Sequence, residues 1–64
     1  MYQMIAANLR QLGIDVEVTV REGVAYIKTD RKYLHYDEID WILKYSSFKG
    51  IATYEGFLVI EILA

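Results

Sequence analysis

The sequence predicts an α+β fold. It should be a two-layer sandwich of order αββαββ, with two helices packed on one face of a four-stranded, mainly antiparallel sheet. Three observations carry this. The segment 14–20, IDVEVTV, alternates apolar and polar residues without a break, which is the period of a half-buried strand. Apolar residues recur at helical spacing in segments 2–12 and 37–46. The phrases REGVAYI at 21–27 and YEGFLVI at 54–60 write one turn and strand twice.

The elements follow in chain order. Tyr2, Ile5, Leu9 and Leu12 form the stripe of a first helix, with Arg10 and Gln11 off it and Gly13 standing where a helix stops. In the strand that follows, Ile14, Val16, Val18 and Val20 share one face, and Asp15, Glu17 and Thr19 the other. The connection REG returns the chain into VAYIKT, with glycine where a positive φ is needed, so the pair forms a hairpin. After the charged connector TDRK, Asp37 announces a second helix over about 37–46. Its carboxylate can accept bonds from the free N–H groups of a first turn, and Glu38 and Asp40 add favourable charge there. FKGIATY and FLVIEIL, joined by EG, make a second hairpin, weakened in its first strand by Gly50 and Ala52.

Sliding the chain by thirty-three residues sets Leu9 on Ile42, Leu12 on Tyr45, Val18 on Ile51 and Glu22-Gly23 on Glu55-Gly56. It also sets Val24 on Phe57, Tyr26 on Val59 and Ile27 on Ile60. Residues 1–64 therefore read as one domain with repeat-like halves, 1–29 and 34–63, an internal duplication. Two units are fewer than the three or so a solenoid needs. The competing explanation is that any two hairpins of valine and isoleucine align this well.

A chain of 64 residues buries only about 60% of the surface its unfolded form exposes. Without cysteine there is no disulfide or thiolate metal site to compensate, so packing or oligomerisation must. A hydrophobic share of 55% beside 25% charged residues excludes a disordered chain. No uninterrupted apolar run is longer than Phe57–Ile60 and the N-terminus carries no export pattern, so the expectation is a soluble, cytoplasmic protein without membrane association. A net charge of −2 gives no electrostatic footprint for nucleic acid.

If one sheet face meets the helices, the other should be wet. Yet alternation puts Val24, Tyr26, Tyr54, Phe57 and Val59 on that outer side. That is more apolar surface than a soluble monomer normally leaves bare. Two explanations stand open: a homodimer whose sheets stack face to face, or a surface for a protein partner. The second helix adds Trp41, Tyr45 and Phe48 on a wall turned away from Ile39, Ile42 and Leu43. Trp and Tyr are frequent carriers of binding energy, so Trp41 and Tyr45 join the candidate interface. Asp15, Glu17, Asp37, Glu38 and Asp40 offer an acidic contact face suited to a basic groove on a partner.

Catalytic and cofactor chemistry finds little support, and the expectation is a non-enzyme with no cofactor and no metal. His35 is the only histidine, and no cysteine or second histidine accompanies it, so a metal site is not expected. Ser46 and Ser47 read as helix-end residues, and the acidic cluster as a helix start. Glycines occur singly, never in the sets that cradle phosphates. Arg31 and Lys32 beside Tyr33, with Arg21 and Lys28, keep a nucleic-acid-binding alternative open.

The stretch IDVEVTVREGVAYIKT, followed by a helix containing DEI and a later KGI, resembles the BON domain. The resemblance implies a membrane- or envelope-associated structural module. The residues themselves point instead to a small acidic regulatory or inhibitory protein acting by protein contact. Its type is the compact inhibitor that phages and mobile elements direct at host systems, anti-CRISPR-like.

Overall fold

The computed structural model describes residues 2–45 and 48–64; Ser46 and Ser47, and the side chains of Tyr36, Glu38, Ile39, Leu43, Tyr45 and Phe48, lie outside the described residues. The fold is α+β, a four-stranded antiparallel sheet with helices. In order, the elements are α1 (Tyr2–Gln11), β1 (Val16–Arg21), β2 (Val24–Thr29), α2 (Tyr36–Tyr45), β3 (Phe48–Tyr54) and β4 (Phe57–Leu63). The sheet order is β1-β2-β4-β3, with every neighbouring pair antiparallel.

Helix α1 ends by a mechanism its sequence encodes. Gly13 takes φ of 85°, a conformation glycine adopts without a Cβ penalty. The Ile14 N–H then donates to the Leu9 carbonyl at 3.1 Å and the Gly13 N–H to the Arg10 carbonyl at 3.0 Å. This paired pattern is the Schellman motif, and its usual apolar contact is present because Leu9 and Ile14 are both fully buried in one cluster. The same turn swings Leu12 off the helical stripe. It is 54% exposed, against the expectation that it joins the core. Helix α2 starts at Tyr36, so Asp37 lies within its first turn and is not the cap itself.

The two hairpins are built alike. Glu22 and Gly23 have φ of 51° and 77°, Glu55 and Gly56 of 55° and 83°. Positive φ at both central residues is the type I′ turn, whose twist matches that of the strands it joins. Glycine is at ease there, whereas glutamate is not. Replacing Glu22 and Glu55 by asparagine, the favoured residue at that position, should stabilise the fold by roughly 0.5–1 kcal/mol per turn. Urea denaturation would show this as a raised midpoint with an unchanged slope.

The register repeats the sequence's own period. Val18 opposes Ile27 in the first hairpin, and Ile51 opposes Ile60 in the second. Between the hairpins Tyr26 opposes Glu61 and Lys28 opposes Val59, a pairing that maps onto itself under the thirty-three-residue shift. The centre of this two-fold relation is the Ile27–Ile60 pair.

On the inner side of the sheet, Ile5, Ala6 and Leu9 of α1 and Ile42 of α2 cluster with Ile14, Val16, Ile27, Ile60 and Ile62. Alternation along the strands supplies the sheet half of this core. The burial fades towards the edges, where the inward Val20 of β1 and Ile51 of β3 are 46% and 40% exposed. Thr29 is the buried polar residue among those described. Its hydroxyl donates to the Leu58 carbonyl at 2.9 Å and accepts the Arg31 N–H at 3.2 Å, tying the end of β2 to the start of β4. A buried hydroxyl is tolerable because both roles are filled.

Candidate interaction surface

The outer side of the sheet is built from the alternate residues of the same strands. The register sets Glu17, Thr19 and Arg21 of β1 beside Lys28, Tyr26 and Val24 of β2. These in turn adjoin Val59, Glu61 and Leu63 of β4, with Ala52 and Tyr54 of β3 at the far edge. Tyr26, Val59, Ala52, Tyr54, Arg21 and Lys28 line a shallow groove of about 410 Å³ across this face, bounded also by Glu17 and Glu61. Val24, Tyr26, Tyr54, Phe57 and Val59 thus all stand on the side expected of them.

They are not equally bare. Tyr54 is 57% exposed, and Tyr26 and Phe57 are half-buried, but Val24 and Val59 are buried. Two cations of the same face lie over its tyrosine rings, beside these valines. The Lys28 ammonium lies 4.8 Å from the centre of the Tyr54 ring. Lys28 and Tyr54 stand on opposite sides of β4, so the lysine stem must cross Val59 to reach the ring. Arg21, paired with Val24, places its guanidinium 5.3 Å from the centre of the Tyr26 ring. Long cationic side chains commonly shield apolar surface in this way while keeping the charged head wet. The expected bare apolar sheet is therefore corrected to an amphipathic one, with two cation–aromatic pairs laid over valines.

Trp41 also differs from expectation. It is half-buried and packs against the core cluster, because an indole ring beside Ile42 is long enough to reach round the helix. The Tyr45 side chain lies outside the described residues. The five carboxylates fall into two groups. Asp15 and Glu17 line a depression of about 230 Å³ with Lys28, Asp30 and Phe57 at one end of the outer face. Asp37 and Asp40 lie on α2, whose Ile42 enters the core from the inner side, and Asp40 is paired with Lys44 at 3.1 Å. The Glu38 side chain is outside the described residues. The acidic face expected from sequence is thus divided between elements, with Asp15 and Glu17 beside the outer face of the sheet and Asp37 and Asp40 on α2.

The connector gathers Asp30, Arg31, Lys32, Tyr33 and His35 around a depression of about 220 Å³, with the Tyr33 and His35 rings edge to face. Among the described residues no group of acidic and histidine side chains could hold a metal ion, and no helix is long and apolar enough to cross a membrane. Comparison of the chain with protein-family models, with curated proteins and with solved structures finds no match.

Proposed function

We propose that this chain is a small, non-enzymatic regulatory or inhibitory protein that acts by protein contact through the outer face of its sheet. The observation that carries the reading is the exposed Tyr54, which lines an open, mildly concave surface with Tyr26 and stands opposite Phe57. Tyrosine gives large contact area at little conformational cost and has a polar end for hydrogen bonding. Both helices belong on the inner side in this reading, making a two-layer αββαββ sandwich with duplicated halves. Its support is that Leu9 and Ile42, one repeat apart, are both buried in one cluster with Ile27 and Ile60. The face carries Arg21 and Lys28 against Glu17 and Glu61. Such balance favours a partner of mixed polarity over a strongly basic groove.

A photo-crosslinking residue placed at Tyr54 tests this in an extract of the native host. It should capture a discrete protein, other than a second copy of this chain, that the same residue at Tyr33, 73% exposed but in the connector, does not. Capture from Tyr33 alone would move the binding surface elsewhere. A second reading has one specific observation behind it: cations paired with tyrosines on an open sheet also suit a single-stranded nucleic acid. Capture of an oligonucleotide from Tyr54, with affinity falling steeply in salt, would favour that reading.

A further inference from the structure

We infer that two copies of this chain pair through the free edge of β3, joining their sheets into one of eight strands. This goes beyond the partner-binding reading of the outer face and does not rest on it.

The two sheet edges differ in how they are guarded. In a two-residue hairpin the residues flanking the turn form a hydrogen-bonded pair, here Arg21 with Val24 and Tyr54 with Phe57. Alternation then turns the N–H and C=O groups of residues 16, 18 and 20 outward from β1, and those of 51 and 53 outward from β3. On the β1 edge the Val16 carbonyl is already taken, because the Arg10 guanidinium donates to it at 3.2 Å. That strand also carries Glu17 and Arg21, and charge along an edge discourages further pairing. On β3 the repeat puts Leu43, which has no side-chain donor, in the place of Arg10. Residues 50–54 include no charge and no proline. The irregularity between Phe48 and Gly50 ends this open window on one side, and the turn at Glu55 ends it on the other.

The window is complementary to itself. Let Ala52 oppose the partner's Ala52 in antiparallel pairing. Ile51 then opposes the partner's Thr53, and each such pair can exchange both of its main-chain hydrogen bonds. Gly50 opposes the partner's Tyr54. Among the described residues no atom lies within 4 Å of where a Cβ on Gly50 would stand, which leaves room for an aromatic ring above it. Beyond these pairs, Lys49 at one end of the window meets the partner's Glu55 at the other. Both stand just outside the paired window, Lys49 in the irregularity and Glu55 in the turn, and opposite charges brought close there favour this register. Sliding each strand by one residue, to set Ile51 against the partner's Ile51, moves Lys49 onto the partner's Thr53 and leaves Tyr54 off the glycine. The first register therefore satisfies charge, ring packing and main chain together. It also covers Ile51, 40% exposed in the single chain.

Sedimentation equilibrium of the full chain from micromolar to millimolar concentration tests the proposal. The expected result is a concentration-dependent dimer. Lys49→Glu and Glu55→Lys should each weaken it roughly tenfold, and the double exchange should restore it to within about threefold, because two ion pairs become repulsive and then attractive again. Thr53→Pro removes an N–H from the free edge without touching the β3–β4 ladder, and should weaken the dimer by at least about tenfold. In hydrogen exchange the Ile51 and Thr53 amides should gain protection with concentration, while those of Val18 and Val20 do not. A chain that stays monomeric throughout overturns the proposal. So does a dimer indifferent to both single charge reversals, which would point to stacking of the outer faces. Should Thr53→Pro fail to fold by circular dichroism, the charge exchange decides.

Discussion

Ile60→Ala is expected to remove a large part of the stability of the fold. Ile60 is fully buried and opposes Ile27 on one side and Ile51 on the other, at the pivot where the two hairpins meet. Deleting such a side chain removes its transfer free energy and leaves a cavity, at about 2–5 kcal/mol. A domain of this length has only about 3–10 kcal/mol in total, at roughly 0.05–0.15 kcal/mol per residue. Ile60→Val, which removes one methyl group, should cost about 0.5–1.5 kcal/mol. Ile27→Ala, the equivalent change in the first half, should match Ile60→Ala. Ile51→Ala, at a half-open edge, should cost clearly less than either. Urea unfolding of the four variants checks the series. Equal losses at Ile51 and Ile60 would mean that the sheet has no privileged centre.

The legible part of this fold was what period and turn chemistry encode. Alternation in IDVEVTV placed Ile14 and Val16 inside and Glu17 outside, and Gly13 marked the end of α1 because that end needs a left-handed residue. The thirty-three-residue shift, read from single letters, reappears in the register as the self-mapping of Tyr26–Glu61 onto Lys28–Val59. Periodicity says which side of a strand a residue takes; it does not say what its neighbours do with their side chains. Val59 counted as bare because lysine counted as polar, yet the Lys28 stem crosses it to reach Tyr54. Trp41 stood off the helical stripe by angle, yet its ring is long enough to reach the core. Nor could glutamate at positive φ be foreseen at Glu22 and Glu55, since the letters EG specify only the glycine.

Tyr54→Ala is expected to weaken partner binding by about 2 kcal/mol, roughly thirtyfold, while leaving the fold intact. The separation of the two effects is physical. Tyr54 is more than half exposed at the sheet edge, so truncating it opens no core cavity. At an interface, however, the same ring would be desolvated in full, and aromatic anchors of that kind dominate binding energies. Its loss also frees Lys28 from the ring and uncovers Val59. Replacing Lys28 by methionine is the informative companion. Methionine keeps an apolar stem that can cover Val59 and removes the charge, so a face recognised by shape should bind the variant nearly as well as the parent. A face recognised through its cations should lose as much with Lys28→Met as with Tyr54→Ala. Titration calorimetry with the captured partner separates these outcomes. If neither variant changes the affinity, the partner binds some surface other than the outer face of the sheet.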